Sequence, residues 1–501
     1  MLWFKRDLRV EDHRPLAEAA VRTLDGDPLL CLYVYEPSLF RDGPLDAAHH
    51  AFIDTSLREL DEALRARGGR LHFRVGEMPE VLERLHAERA ITCLWSHRET
   101  GDGQTYARDL RVLDWCRARR IPWRERSQNG VIRRLRSRDG WAQRWALQMR
   151  KPVVAAPGRI VGVDGIDPQV PRAPHEVGAT RTERVEIQRG GMQAGRETLD
   201  GFLHRRGAGY RKDMSSPLYG WGSCSRLSPH LAWGTLSLRQ VFQDSERRLR
   251  RVRDRKRRGR LDDPRWPEAL SSFRSRLSWH CHFMQKLEDE PRIEFENVNR
   301  AYDGLREEAF DEARFAAWAK GETGYPLVDA CMRSLRRTGW LNFRMRAMLV
   351  SFSSYQLWLH WRRPALHLAR LFLDYEAGIH FSQVQMQSGT TGINTLRIYS
   401  PIKQVRDQDP EGHFIRHWVP ELRGVPLEHL AEPHRMPGLE QRMAGCVIGR
   451  DYPAPIVEHG PAYRRAKERM GAIRRRPDVR AEAQRVAQKH GSRRRPRRRP
   501  R

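Results

Sequence analysis

The stretch Gly321-Glu322-Thr323-Gly324-Tyr325-Pro326, then the run 327–338, then Trp340-Leu341-Asn342-Phe343-Arg344-Met345-Arg346, decides how the second half of this chain is read. Two glycines and a proline close one segment and open another, and proline suits the first turn of a helix but not its interior. Helices are therefore expected over 326–338 and 340–361. Moving outward, residues from about 200 to 470 are helical in pattern, rich in Trp and punctuated by loops, with a further helix over 268–288. A long all-helical region of this kind can bury a large cofactor between its helices.

The first 130 residues have a different rhythm. Segments 2–4, 29–35, 71–75 and 91–95 are short apolar runs with strand composition. Between them, Leu57, Leu60 and Leu64 recur at helical spacing, as do Val81, Leu82 and Leu85. Buried strands alternating with amphipathic helices indicate a parallel α/β sheet. No G-x-G-x-x-G opens a helix and no G-K-[ST] occurs, so the commonest dinucleotide and P-loop signatures are absent. Pro152, Pro157, Pro168, Pro171 and Pro174 mark residues 151–200 as an interdomain linker. The expected division is an α/β domain over 1–150, the linker over 151–200, an all-helical domain over 201–470 and a disordered basic tail over 471–501.

The 501 residues carry 92 Lys+Arg against 63 Asp+Glu, a net charge of +29, and that excess is uneven. Residues 247–260 hold ten Lys/Arg and one acid, and residues 474–501 hold thirteen and two. Such runs usually form solvated, self-repelling segments, and they attract polyanions by counterion release. Seven cysteines show no C-x-x-C pair or finger spacing, so reduced thiols and no metal centre are expected. No apolar run is long enough to span a membrane, and a cytoplasmic chain is expected.

Several fragments are chemically suggestive. Cys224-Ser225-Arg226-Leu227-Ser228 runs into Pro229-His230-Leu231, a hydroxyl-rich helix start that can seat phosphate or simply supply N-cap serines. Ser96-His97-Arg98-Glu99-Thr100-Gly101 follows a strand, where open α/β sheets bind ligands; Glu99 either holds a ligand there or caps the next helix. Trp279 is a core tryptophan or a stacking wall. Asp374-Tyr375-Glu376, Arg397-Ile398-Tyr399-Ser400-Pro401, Phe414-Ile415-Arg416-His417-Trp418 and Tyr452-Pro453-Ala454-Pro455 complete the set.

In order and spacing, these fragments together resemble the photolyase/cryptochrome family from residue 2 to about 460. The resemblance implies an α/β N-terminal antenna-type domain with a parallel sheet, followed by an all-α FAD-binding domain. By the same resemblance, FAD contacts fall on Tyr210, on Cys224, Ser225, Arg226, Leu227 and Ser228 at the diphosphate, and on Arg346, Asp374 and Glu376 around the ring and ribose. Trp279, Arg344, Met386 and Gln404 occupy DNA-side positions, His380 the position facing flavin N5, and Trp361 the middle of an electron-transfer chain. A folate- or flavin-type antenna is a further expectation, with Glu99 as its contact. Implied partners are UV-damaged DNA and no membrane, with a monomeric chain.

The implied activity is light-dependent reversal of pyrimidine dimers by electron transfer from excited, reduced FAD. The alternative is a cryptochrome-like blue-light photoreceptor without repair activity. Departures from the family pattern bear on that choice. Arg276 stands where dimer-repair enzymes typically carry Glu, Met386 replaces a second stacking Trp, and Met214 ends a Tyr-x-x-x-Arg pairing. Val384 and Glu308 replace the flavin-proximal and surface tryptophans, leaving Trp361, and Glu376 stands where Asp is common.

Overall fold

The computed structural model describes residues 1–308 and 310–491. Strand β1, Leu2–Phe4, shows why the N-terminal segment forms a sheet buried on both faces. Leu2 and Phe4 pack with Cys31, Tyr33 and Tyr35 of β2, Cys31–Tyr35, beneath Leu57 and Leu60 of the helix Ala47–Arg65. Trp3 points the other way, with Leu32 and Val34 against Val81 and Leu82 of the helix Met78–Glu88. Alternation along each strand thus feeds two cores at once, which is why these strands read as continuous apolar runs.

β3 (Leu71–Val75), β4 (Leu94–His97) and β5 (Trp123–Arg126) complete a parallel sheet of order β3-β2-β1-β4-β5. Strand order reverses at β1 and β4, and ligand sites of open α/β sheets lie above such a point. β5 escaped the sequence reading because Trp-Arg-Glu-Arg has no apolar run. As an edge strand it keeps polar side chains outward, a common guard against unwanted pairing.

The proline-rich segment is pinned to the sheet layer rather than hanging free. Val161 O accepts from Leu29 N, Pro168 O from Phe73 N and Thr180 O from Ala47 N. Its last residues already belong to the helix Met192–Gly201.

The helical half is built around the long helix Trp266–Asp289 packed against Leu238–Arg257 and Ala377–Ser388. The helix expected at Pro326–Thr338 is present with those bounds. The segment 340–361 is not one helix: Phe343–Ser351 widens into a π turn at Phe352–Gln356 and then leaves helical geometry, with Trp358 at φ +57°. Gly324 sits at φ +75°, and a Cβ there would lie 2.5 Å from the Ala454 and Pro455 backbone, so the quoted turn requires glycine.

Both basic runs depart from the expectation of disorder. Residues 247–257 continue the helix Leu238–Arg257, because Leu249 and Val252 still have a core to enter. Beyond the helix His459–Arg475, the helix Pro477–His490 docks through Val479 and Val486, and His490 bonds the Glu290 carboxylate at 2.5 Å. The expected disordered tail is therefore helical through His490; residues 492–501 lie outside the described residues.

The two halves meet at the loop 372–376. Arg6 Nη1 donates to Tyr375 O at 2.7 Å, Trp233 Nε1 to Leu373 O at 3.1 Å, and a His49 ring nitrogen lies 3.0 Å from Phe372 O. Gly234 brings the backbones together: a Cβ there would sit 2.3 Å from Arg6 O. The sheet's carboxyl edge thus fixes the loop that carries Asp374 and Glu376.

Candidate functional site

The segment from Ser223 to Ser228 is shaped from behind by Arg206, whose guanidinium donates to the carbonyls of Gly222, Cys224 and Ser225. Arg226 follows at φ +60° and lies between Trp221 and Trp340, 3.8 and 4.0 Å from their ring centroids. Burial pulls its guanidinium down to about 9 against the opposing charge of Asp374. Ser225 and Ser228 do not cap the following short helix. Leu227, buried, stands at that N-cap, while Ser228 hydrogen-bonds Asp374 and Ser237 caps Leu238–Arg257.

Asp374 is the hub of this cluster. Arg346 Nη1 and Nη2 donate to its two oxygens at 2.9 and 2.8 Å, a planar bidentate pair, and the guanidinium also lies over Phe372. Burial works to raise the Asp374 pKa, but the Arg346 charge and the hydrogen bonds hold it below the usual carboxylate range. Glu376 differs. It lies 3.8 Å from Arg6 and 3.6 Å from His280, and burial pushes it up to about 8. The same burial pulls His280 down to about 4, so the pair is a neutral acid beside a neutral imidazole at pH 7.

Tyr210 joins this cluster from the other side. It packs edge-on against Phe202 and Phe273, hydrogen-bonds Arg276, and is pushed up to about 12 by burial. Cys224, nearby, is a free thiol raised to about 11, also by burial. One turn on from Arg276, half-buried Trp279 meets His282 edge-on and Phe283 at a tilt, at centroid distances of 5.1 and 5.6 Å.

Four polar atoms of the expected site residues and of Asn342 are buried without a partner: Arg226 Nη1, Asn342 Oδ1, Arg344 Nε and Gln404 Oε1. Unpartnered buried atoms occur elsewhere in the molecule too, but Arg226 Nη1 faces Asp374 and Asn342 lies against Gly220 at the start of the 220–228 segment, which puts a donor and an acceptor at the seat itself. Their donors and acceptors suit a large ligand with a diphosphate and a polar ring edge, so the residues present fit FAD.

The remaining expected residues are distributed as follows. Met386 is half-buried at the end of the helix Ala377–Ser388. His380 has its Nε2 on Ala365 O at 2.8 Å and its ring 5.4 Å from both Tyr375 and Phe381. Trp361 is wholly buried in the main core, donates to Asn297 Oδ1 at 2.8 Å and reaches the His380 side only through Phe381. Glu99 does not cap a helix. Asp102 does, and Glu99 instead receives Arg108 at 2.5 Å with Lys5 at 3.9 Å. Buried Glu36 and Asp109 close that network.

Sequence reasoning missed Arg206, the Trp221–Arg226–Trp340 sandwich, Arg6 and His280. Gly220-Trp221-Gly222, an aromatic held between glycines, was the available signal for the sandwich, and the charged turn Lys5-Arg6-Asp7-Leu8-Arg9 that for Arg6; Arg206 gave none. Among the described residues, Asp7, His13 and His97 form a buried cluster with metal-like composition. Both imidazoles hydrogen-bond one Asp7 oxygen, at 2.9 and 2.8 Å, and His13 Nδ1 accepts from Leu16 N, which accounts for the cluster as a structural lock.

Residues 1–137 match the family model for DNA photolyase, and residues 273–472 that for the FAD binding domain of DNA photolyase. A deoxyribodipyrimidine photo-lyase of Streptomyces griseus is 30% identical over 490 residues, covering 93% of this chain and 98% of the relative. The chain belongs to the DNA photolyase/cryptochrome family. Its helical half is the FAD-binding domain of that family, and FAD is its cofactor. A cryptochrome DASH of Gloeobacter violaceus is 26% identical, covering 91% of this chain and 93% of the relative. The structure of a bacterial class III photolyase from Agrobacterium tumefaciens superposes with a TM-score of 0.81 at 25% identity, covering 95% and 97% of the two chains. None of the described helices is long and apolar enough to cross a membrane.

Proposed function

We propose that this photolyase-family chain is a light-dependent DNA repair enzyme that reverses pyrimidine dimers. The observation supporting this reading is the buried Arg346–Asp374 pair with Ser228 on Asp374 and Arg226 held between two tryptophans beside it; Arg276, Trp279, Arg344, Met386 and Gln404 are proposed as the DNA-side rim. Bound FAD supplies a light-excitable one-electron donor. Tyr210 and residues 224–228 hold its diphosphate side, and Arg346 with ionised Asp374 fixes the polar ring edge. Glu376 keeps its proton at neutral pH beside His280, so a proton is available at the cluster without a buried negative charge. Trp279, backed by His282 and Phe283, offers a stacking face for a flipped base, while Arg276 and Arg344 meet phosphates.

The test is illumination of FAD-loaded, reduced protein with an oligonucleotide containing one dimer. Reversion in blue light and none in darkness is expected; no reversion with FAD bound and reduced overturns the proposal. A photoreceptor is the second reading, supported by Arg276 and Met386 in place of the usual lesion contacts. It predicts equal affinity for damaged and undamaged DNA.

A folate- or flavin-type antenna at Glu99 would have to displace Arg108 from that carboxylate. The absorption spectrum of the purified protein tests for it. Cytoplasmic location and a monomer of 58.6 kDa belong to the same proposal, the latter checked by sedimentation.

A further inference from the structure

Arg98 leaves the end of β4 with flavin-side residues on one hand and a separate cavity of about 550 Å³ on the other. Arg14, Arg98, Arg126, Lys151 and Arg239 line that cavity, with Glu125 as the one acidic wall residue. These cations arrive from five separate segments: the start of the helix Arg14–Thr23, the residue after β4, the end of β5, the residue after the helix Trp141–Arg150, and the first turn of Leu238–Arg257. The fold gathers them there, since no basic run in the sequence contains them.

Their charge is partly answered from behind. Glu18 takes Arg14 at 2.6 Å and Arg126 at 2.7 Å, and Asp12 takes Arg239 Nη1 at 2.8 Å. Arg98 comes no closer than 4.0 Å to Glu125, and Lys151 makes no ion pair among the described residues. Arg239 is 8% exposed, yet its Nε is buried without any partner. Glu125 Oε1 on the same wall is also without a partner, so the case for an anion rests on the convergence of five cations around one cavity, to which Arg239 Nε adds one free donor.

Ser127 and Gln148 add polar groups, whereas the apolar lining is only Pro152 and Val154, with no aromatic ring. Forked guanidinium groups match phosphate oxygens in pairs, and a cavity of this size takes a ligand of nucleotide dimensions. We propose that this cavity binds a chain of phosphates, either inorganic polyphosphate or the triphosphate of a nucleotide. The lining selects for the phosphates, since it offers five cations and no aromatic ring for a base. The proposal does not depend on the repair activity.

The test is isothermal titration calorimetry of the FAD-loaded full chain at about 0.15 M salt, with tripolyphosphate in one arm and ATP in the other. One saturable site per chain is expected. Arg98→Ala with Lys151→Ala weakens it at least about tenfold, and Arg58→Ala with Arg65→Ala, on the exposed face of Ala47–Arg65, leaves it unchanged. Arg239→Gln gives the same loss, with retained FAD confirming the fold. Tighter tripolyphosphate marks polyphosphate as the ligand, and tighter ATP marks a nucleotide. Absence of saturable binding in both arms, or equal losses in both double variants, overturns the proposal as nonspecific attraction to a basic protein.

Discussion

Asp329 and Asp374 are both buried carboxylates on the helical half, and they are satisfied in opposite ways. Asp329 accepts from Thr323 N at 2.8 Å, Thr323 Oγ1 at 2.6 Å, Gly324 N at 3.0 Å and the Tyr452 hydroxyl at 2.5 Å, all neutral donors from its own core. Burial still pushes it up to about 6. Asp374 has a cation, Arg346, and faces Arg226, whose Nη1 is unpartnered, and it is held low. The first closes a turn with nothing left over. The second is a site with surplus donors and acceptors, which is what a ligand uses.

The contrast predicts different failures. Asp329→Ala leaves four donors unmatched in a core and should cost about 3 kcal/mol or more of stability, taking FAD with the fold. Thermal unfolding of the apo-protein measures it. Asp374→Ala should cut FAD retention at least about tenfold, a change of about 1.4 kcal/mol or more, while the apo-protein loses less stability than Asp329→Ala, because Arg346 is a quarter exposed and keeps its bond to Leu341 O. If Asp374→Ala protein purifies with full FAD, the cofactor assignment fails; if both variants unfold alike, the distinction between them fails.

The C-terminal charge separates along the same line. Removing 492–501 should lower DNA affinity and flatten its salt dependence, with stability unchanged. Removing 477–501 should add a stability loss of about 3 kcal/mol, because Val479 and Val486 leave a packed core. FAD content stays intact in both, and lost flavin on either truncation would contradict the described architecture.

A pH dependence at Glu376 tests the site half of the comparison. Its folded pKa, about 8, lies above the ordinary value of 4.5, so it favours the fold fully below about 4.5 and loses that contribution as pH rises toward 8. Glu376→Gln should therefore flatten the decline of apo-protein stability across that window. An unchanged slope would place the Glu376 proton elsewhere.

Much of this was legible beforehand for a physical reason. Period-two and period-3.6 apolar patterns are local, so β1, β3 and the helix Pro326–Thr338 were found with their bounds. The seat 224–228 and the pair Arg346/Asp374 were legible as motifs, though only through family resemblance, since their partners lie far apart in the chain. β5 and the helix Pro477–His490 were missed because their charge hid short apolar faces that have value only against a neighbour. Arg206 was missed because an isolated arginine carries no periodic signal, and Arg6, in the charged turn Lys5-Arg6-Asp7-Leu8-Arg9 after β1, because only folding brings it to Tyr375 and Glu376.

The sequence by itself determined the two-part architecture, the family and the excess of positive charge. The tertiary structure alone decided which charges matter. It buried Glu376 beside His280, sandwiched Arg226 between two tryptophans, and gathered Arg14, Arg98, Arg126, Lys151 and Arg239 around one cavity. Apolar pattern is written along the chain at the scale of a helical turn. The electrostatics of a site depend on burial and on partners hundreds of residues away, and folding is what brings them within reach.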